Sequence, residues 1–154
     1  MSENIQLNYK KVLVFGLDEN EYAIEIDVVQ GIERLMNITR VPRTPSFVKG
    51  VINLRGVVTP VIDLRARFQL PLRTDDEQSR IVIVSMEQFD VGLIVDTAND
   101  IIDVPRERIE SQPEVVGSIA SEFIAGIAKV DGRLLSLLDL PKVLTPIHEL
   151  EASR

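Results

Sequence analysis

Cysteine and tryptophan are absent from the 154-residue sequence, and histidine occurs once, at His148. Without cysteine the chain has no disulfide, no thiolate nucleophile, no iron–sulfur cluster and no cysteine-ligated zinc. A single histidine near the end of the sequence also argues against histidine-dependent acid–base chemistry and against a histidine-rich metal centre. We therefore expect neither a metal ion nor a cofactor.

Aromatic residues and long hydrophobic runs are also scarce. The five phenylalanines and two tyrosines are few for a protein that stacks on nucleic-acid bases. No apolar run approaches the roughly 18 residues that a membrane-spanning helix needs. The first residues, MSENIQLNYKK, lack the apolar segment of a signal peptide. We expect a soluble cytoplasmic protein that does not insert directly into a membrane.

The composition that remains is typical of a globular protein. Hydrophobic residues make up 45% of the chain, and 24 acidic side chains against 17 basic ones give a net charge of -7. A domain of about 150 residues buries roughly 70% of the surface that its unfolded chain exposes, so no metal or disulfide is needed to stabilise the core.

Short runs rich in valine, isoleucine and leucine predict strands, and polar turn signals separate them. Asp131-Gly132 is the strongest turn signal, because a two-residue type I′ turn needs positive φ at both positions. The predicted strands are Val12–Leu17, Tyr22–Ile26, Val48–Ile52, Val57–Ile62, Ile81–Met86, Val91–Val95, Phe123–Val130 and Leu134–Leu138. Helical spacing is confined to Val28–Leu35, the LRARF segment after Asp63, Pro105–Glu110 and Leu140–Leu144. This pattern predicts a mainly β fold, either barrel or sandwich.

The second half of the chain repeats the first. Val12–Ile32 aligns without gaps with Ile81–Ile101, and Phe47–Phe68 aligns without gaps with Phe123–Leu144. The second alignment contains five identical pairs, which are Phe47/Phe123, Gly50/Gly126, Gly56/Gly132, Asp63/Asp139 and Leu64/Leu140. Between these two segments, Ile38 aligns with Ile109 and Pro42 with Pro113. We interpret the pattern as an internal duplication.

The duplication sets the expected organisation within a single domain that spans 1–154. The first repeat covers about 12–70, the polar segment 71–80 is the crossover, the second repeat covers 81–144, and 145–154 is a tail. A unit of about 70 residues buries little apolar surface, so we expect the two to pack on each other. The pattern leaves open whether terminal strands exchange between them.

Basic residues are concentrated in the first repeat. Between Arg34 and Arg67 the only acidic residue is Asp63, against seven basic ones: Arg34, Arg40, Arg43, Lys49, Arg55, Arg65 and Arg67. Arg55 precedes the glycine of a predicted hairpin tip, where its side chain would face solvent and grip a carboxylate. An arginine that only keeps the turn soluble is the alternative interpretation.

No catalytic constellation is evident. Asp63 and Asp139 recur at matched positions, but each follows a strand and precedes a helical turn, so a helix N-cap explains both. The chain contains no phosphate-binding glycine-rich loop. We interpret the protein as a binding module and keep two alternatives, a nucleic-acid-binding tandem β-barrel and a barrel that binds or converts a small molecule.

The sequence resembles one family, the CheW-type chemotaxis coupling proteins, from about Val12 to Leu144. The likeness rests on VFGLDENEYAIEID, ITRVPRTPSFVKGVINLRGVVTPVIDLRARF, RIVIV, GLIVD and FIAGIAKVDGRLLSLLDL in that order. Its most specific part is Gly50–Gly56 with Pro60–Arg65, which reads GVINLRG and PVIDLR. Many relatives have Glu where this chain has Gly31, which is followed by Ile32 and Glu33.

The resemblance implies a mainly β fold of two packed SH3-like five-stranded barrels with a few short helices. It implies a non-enzymatic adaptor that joins the histidine kinase CheA, through the regulatory domain of the kinase, to the cytoplasmic tips of methyl-accepting chemotaxis receptors in membrane-associated arrays. A CheW-like scaffold module of a different two-component pathway is the alternative within the family.

The resemblance also implies two sets of binding residues. The positions that match receptor contacts are Asn53, Arg55, Ile81, Ala98 and Ile101. The positions that match kinase binding are Val29, Gly31, Ile32 and Gly50.

Overall fold

The computed structural model describes residues 8–110 and 121–145, so His148 and most of the predicted tail lie outside the described residues. Short strands dominate these ranges, which confirms a mainly β fold. They are β1 (Tyr9–Leu17), β2 (Asn20–Glu25), β3 (Val29–Arg34), β4 (Val48–Leu54), β5 (Val57–Asp63), β6 (Arg80–Ser85), β7 (Asp90–Val95), β8 (Thr97–Pro105), β9 (Ile109–Glu110), β10 (Ile124–Val130) and β11 (Arg133–Leu138).

Helices are short wherever the chain is described. Leu64–Arg67 and Leu140–Val143 form single α-helical turns after β5 and β11, and Ile26–Val28, Arg106–Arg108 and Ser121–Phe123 form 3-10 turns. None of these helices is long and apolar enough to cross a bilayer.

The strands form two sheets. One has six strands in the order β8-β1-β2-β11-β10-β9, and the other has five in the order β3-β6-β7-β5-β4. The chain divides into two compact units. In unit A the described residues are 8–14, 20–26, 100–110 and 121–145, and unit B consists of residues 15–19 and 27–99.

Strand pairing answers the question that the sequence left open. In unit B, β3 from the first repeat pairs antiparallel with β6 from the second, and β5 pairs parallel with β7. In unit A, β11 from the second repeat pairs parallel with β2 from the first. Each sheet therefore takes strands from both sequence repeats.

Each unit has its own apolar core, built from alternate residues of its strands because side chains in a strand alternate between faces. The core of unit A contains Val12, Val14, Ala23, Val104, Ala128, Leu135 and Leu137. The core of unit B contains Ile52, Val61, Ile81, Ile83 and Ile94. Fully burying one such valine, leucine or isoleucine side chain stabilises the fold by about 1.5–3 kcal/mol.

The hairpins β4–β5 and β10–β11 are the best-matched copies. Both turns have positive φ at both central residues, 53° and 87° at Arg55-Gly56 and 52° and 80° at Asp131-Gly132. These angles are those of type I′ turns, whose twist suits a two-residue hairpin. The structure confirms the turn predicted at Asp131-Gly132.

The two aspartates that follow these hairpins are helix N-caps, as predicted. The Asp63 carboxylate accepts a hydrogen bond from the backbone N–H of Arg65 at 2.9 Å. The Asp139 carboxylate accepts one from the backbone N–H of Lys142 at 3.2 Å. Both side chains are therefore occupied with otherwise unpaired backbone donors of a helix start.

The helix predicted over Val28–Leu35 is wrong, because most of this segment is strand β3. Its apolar spacing fits a helix, yet Ile32 faces solvent and Glu33 is half-buried, which inverts the alternation that marks a strand. The helix predicted over Pro105–Glu110 is reduced to a 3-10 turn followed by β9, and β8 was missed.

Candidate partner-binding site

The tip of hairpin β4–β5 presents an arginine to solvent. The Asn53 side-chain oxygen accepts a hydrogen bond from the backbone N–H of Gly56 at 2.8 Å, which stabilises the tight turn. Arg55 lies between these two residues in the left-handed region, and 76% of its side chain is exposed. The turn therefore holds the guanidinium away from the core, where it can form a two-pronged contact with a carboxylate.

Glu33 of β3 is the ionic partner of Arg55 within this protein. The Arg55 Nη2 lies 3.2 Å from the Glu33 Oε2, and a Cβ placed on Gly31 would lie 3.6 Å from the same oxygen. An ion pair with one side so exposed contributes about 0–1 kcal/mol. Arg55 is thus weakly held and remains available to a carboxylate from another molecule.

Two valines beside Arg55 add an exposed apolar surface. Val57 and Val58 begin β5 and are among the most exposed large hydrophobic residues of the described chain. Pairing of β5 with β7 starts only at Val61, so the first residues of β5 extend beyond that neighbour. Their exposure was not predicted, because a run of apolar residues in a strand indicates burial.

Of the other positions implied to contact a receptor, one requires correction. Ile81 is 0% exposed and belongs to the core of unit B, directly opposite Glu33 in the pairing of β3 with β6. Its side chain has no surface for a partner, so its role is to support the strand. Ala98 is half-buried and Ile101 is 52% exposed, and β8 carries both.

The positions implied to bind the kinase fall into two groups. Val29, Gly31 and Ile32 lie on β3, an edge strand of the five-stranded sheet, and Ile32 is 42% exposed. Gly50 is buried instead, and a Cβ there would overlap the backbone oxygen of Thr39. Gly50 therefore lets two backbones approach, and its link to kinase binding, which the resemblance implies, stays a prediction.

The contact at Gly50 fastens the segment before β4. Thr39 and Val51 exchange two backbone hydrogen bonds, at 2.9 and 2.8 Å. With φ at 150°, Gly50 sits at a β-bulge between Val48 and Gly50 itself. The glycine therefore positions the loop that precedes β4, which carries the basic residues Arg40 and Arg43.

Arg65 does not belong to the exposed basic surface that the sequence predicted. It is buried and donates from Nε to one Asp96 carboxylate oxygen at 3.0 Å and from Nη2 to the other at 2.7 Å. The same guanidinium also donates to Asp18 and to the backbone oxygen of Pro71. Hydrogen bonding to Asp96, against the opposing effect of burial, raises the pKa of Arg65 above its usual value.

The carboxylate of Asp96 is held in its charged form. Burial alone would raise its pKa, but hydrogen bonds from Arg65 and from the backbone N–H of Asp18 keep the pKa of Asp96 below its usual value. This ionic cluster therefore fastens the turn after β1 to the end of β7. It is a structural feature of unit B, because the side chains of Arg65 and Asp96 at its centre are only 6% and 11% exposed.

Metal-ligating side chains do not gather anywhere in residues 8–110 or 121–145: no group of three His, Asp or Glu side chains there could hold an ion. Every buried side-chain nitrogen or oxygen in the same ranges has a hydrogen-bond partner.

The family comparison covers nearly all of the described chain. The family model of the CheW-like domain matches residues 11–147. The chain belongs to the CheW-like family. It is 45% identical to the chemotaxis protein CheW of Bacillus subtilis (strain 168), over 88% of this chain and 86% of that one. It is 37% identical to the chemotaxis protein CheW of Klebsiella aerogenes, over 88% and 82% of the two chains.

A solved CheW structure agrees with the fold. The crystal structure of the scaffolding protein TtCheW from Thermoanaerobacter tengcongensis matches with a TM-score of 0.83 and 38% sequence identity, covering 88% of this chain and 92% of that one. The protein thus has the CheW fold, with two SH3-like subdomains.

Proposed function

We propose that this CheW-like protein is a non-enzymatic adaptor that couples chemoreceptors to the histidine kinase CheA. The observation that carries the proposal is the exposed guanidinium of Arg55 on the tip of β4–β5, held by one weak ion pair. Support comes from the family match and from relatives named as chemotaxis and scaffolding proteins. An adaptor needs separate surfaces for two partners.

The first surface is proposed for the cytoplasmic tips of methyl-accepting receptors, which are helical and rich in acidic residues. Arg55 would exchange the carboxylate of Glu33 for a receptor carboxylate, while Val57 and Val58 pack against apolar positions of the same helix. Arginine next to apolar side chains is a frequent composition of binding hot spots. Asn53 shapes the tip, and Ile81 supports strand β6 from the core. Ala98 of unit B and Ile101 of unit A are each proposed as a further receptor contact within its own unit.

The second surface is proposed for the regulatory domain of the kinase. The edge strand β3 offers unpaired backbone groups and the exposed Ile32 to a second β-domain. Val29 and Gly31 form part of the same edge, and Gly50 acts through the backbone that it positions. Recruitment of the protein from the cytoplasm to membrane-associated receptor arrays then follows from binding to the receptors.

A binding experiment with two partners separates the two surfaces. Purified Arg55→Glu, Ile32→Asp and wild-type protein are each tested against immobilised receptor tips and against the kinase regulatory domain. We expect Arg55→Glu to weaken receptor binding more than ten-fold, since it replaces attraction by repulsion, and to leave kinase binding within two-fold. Ile32→Asp should show the reverse pattern.

The matched control is Lys129→Glu, the same charge reversal at an exposed position next to the tip of the second hairpin. It should bind both partners like the wild type, and circular dichroism should show all variants folded. Receptor binding by Arg55→Glu that equals binding by the wild type would disprove the receptor surface. Loss of both partners in either single variant would disprove the separation into two surfaces.

A further inference from the structure

A second basic surface of unit B has no role in the proposal above. The loop between β3 and β4, together with the helical turn Leu64–Arg67 and Leu72, lines a cleft of about 530 Å³. That volume is within the range of sites that bind small ligands or short peptide segments. We call it the cationic cleft, after its basic lining residues Arg40, Arg43 and Lys49.

The charge of the cationic cleft is not balanced from within. Arg40, Arg43 and Lys49 are all exposed, and in the described part of the chain none of them forms an ion pair. The only carboxylate among the described lining residues is that of Asp63, which already accepts the capping hydrogen bond from Arg65. Three cations thus face one occupied carboxylate, in a chain whose net charge is -7.

Another cleft of the same unit shows what a balanced lining looks like. In that cleft Arg34 and Arg80 face Asp76 and Glu77, so its cations and carboxylates are equal in number. An excess of positive charge is therefore a property of the cationic cleft and not of every cleft in unit B. Unbalanced charge attracts a partner of the opposite sign.

The loop that carries these cations is fixed in place. Thr44 donates a hydrogen bond from its hydroxyl to the Val41 oxygen at 3.0 Å, and the Val48 N–H donates to the Pro45 oxygen at 2.9 Å. Pro42 and Pro45 restrict the backbone further. A loop ordered before binding loses little conformational entropy when a ligand binds.

The apolar walls of the cleft indicate which class of anion it binds. Apolar side chains of Ile38, Val41 and Leu72 line it beside the cations, and Leu72 is largely exposed. Inorganic phosphate would leave these walls uncovered, and the loop has no glycine to bring backbone N–H groups around a phosphate. A peptide with both acidic and apolar side chains covers both parts of the lining.

The sequence repeat shows that the fold does not require these charges. In the register that aligns Pro42 with Pro113, Arg40 corresponds to Ser111, and in the alignment that begins at Phe47 and Phe123, Lys49 corresponds to Ala125. Gly50 and Asp63, by contrast, are among the identical pairs of the repeat. The duplication therefore keeps the residues that shape the backbone and has these cations in one copy only.

We propose that the cationic cleft binds an extended acidic segment of a partner protein, with carboxylates on Arg40, Arg43 and Lys49 and an apolar side chain against the Val41 wall. The contact is separate from the Arg55 tip and from the exposed Ile32 of β3, although Lys49 and Asp63 of the same hairpin line the cleft. Variants of the cleft therefore test it independently of the tip and of Ile32. Because the cations are solvent-exposed, binding should weaken as salt concentration rises.

The test uses the full chain and a fluorescein-labelled peptide of about twelve residues rich in Glu and Leu, followed by fluorescence anisotropy. A peptide with Gln in place of Glu is the ligand control. We expect Arg43→Glu/Lys49→Glu to raise the dissociation constant more than ten-fold, because two attractive charges become repulsive. The matched protein control is Arg106→Glu/Lys129→Glu, which reverses two exposed charges of unit A and should bind like the wild type.

Amide chemical shifts locate the binding site. In ¹⁵N-labelled protein the acidic peptide should shift the resonances of 38–49 and 63–72, and Arg55→Glu should leave these shifts intact. Equal affinity of the cleft variant and the wild type, equal affinity for the Gln peptide, or shifts elsewhere would overturn the proposal. Displacement of the peptide by equimolar inorganic phosphate would also overturn it, in favour of a free-anion site. Stronger binding to phosphatidylglycerol vesicles than to the peptide would replace it with a lipid site.

Discussion

The hairpins β4–β5 and β10–β11 share a backbone and differ in what their tips offer. Each has a bulge at a glycine, a type I′ turn and an aspartate that caps a helical turn. At the first tip Arg55 is 76% exposed and has one ionic partner among residues 8–110 and 121–145. After the second tip Arg133 is 31% exposed and hydrogen-bonds two carboxylates, those of Glu21 and Asp100.

The difference separates residues that make the fold from residues available for binding. Identical pairs of the repeat shape the backbone: a Cβ at Gly50 or Gly126 would meet a neighbouring residue, and Asp63 and Asp139 cap helical turns. Arginine occurs near both tips, but Arg133 near the second tip hydrogen-bonds two carboxylates within unit A. An arginine held by an exposed ion pair, as at the first tip, is the better candidate for a contact with another protein.

The largest loss of stability is expected from a substitution at Arg65, in the helical turn after the first hairpin; the residue that aligns with it after the second hairpin is Pro141. Arg65→Ala should lower the free energy of unfolding by about 3–5 kcal/mol, because it removes the hydrogen-bonded cation of the buried Asp96 carboxylate and leaves it with the longer, 3.7 Å ion pair to Arg73. Urea unfolding followed by circular dichroism measures this loss in a protein without tryptophan. The control Arg67→Ala, two positions on, removes a cation–π contact with Phe47 and should cost about 0.5–1 kcal/mol.

The pH dependence distinguishes a lost ion pair from lost packing. The folded-state pKa of Asp96 lies below the usual 3.8, so its contribution is present above about that pH and is lost as pH falls through the folded pKa. The difference in stability between the wild type and Arg65→Ala should therefore narrow on acidification below about pH 4. A difference that stays constant between pH 7 and pH 3 would contradict the ionic explanation.

Substitution of the matched glycines Gly50 and Gly126 should give the next largest loss of stability. A Cβ at Gly50 would overlap a backbone oxygen, whereas at Gly126 its nearest neighbour is the movable Ile109 Cγ2 at 2.9 Å. We expect Gly50→Ala to destabilise by about 3 kcal/mol and Gly126→Ala by about 1 kcal/mol, measured by urea unfolding.

Gly56→Ala serves as the control for backbone conformation alone, since φ there is 87° and nothing lies within 4 Å of the new Cβ. It should cost about 1 kcal/mol. Equal losses for Gly50→Ala and Gly56→Ala would show that strain, and not the close approach of Thr39, sets the effect at Gly50.

The sequence predicted most of the fold because the information was local. Apolar runs bounded by turn residues located eight strands, and the aspartates before helical turns were identified as caps. Strand β3 was missed because its exposed Ile32 and half-buried Glu33 invert the usual pattern. Strand β8 was missed because Asn99, Asp100 and Asp103 lie on an exposed edge and dilute its apolar signal.

The candidate site was predicted only in part, because much of it depends on distant residues. Arg55 was found from its place before a turn glycine. Nothing local shows that Arg65 meets Asp96, 31 positions away, or that Glu33 meets Arg55, 22 positions away. Charge counted along a segment therefore overestimates the exposed charge, and only the fold shows which cations remain available.

Substitutions of the two tip arginines should have the smallest effect on stability, and they test the comparison of the two tips directly. Arg133→Ala removes hydrogen bonds of 2.9–3.1 Å to two carboxylates and should cost about 1 kcal/mol, while Arg55→Ala removes one exposed pair and should cost less than about 0.5 kcal/mol. Arg133 also holds the pKa of Asp100 below its usual value by hydrogen bonding, a shift that NMR titration should find reversed in Arg133→Ala. In receptor pull-downs the order should invert, with Arg55→Ala impaired and Arg133→Ala like the wild type. If Arg55→Ala proved the more destabilising of the two, its guanidinium would be a structural group, and the contrast between the tips would no longer indicate a binding surface.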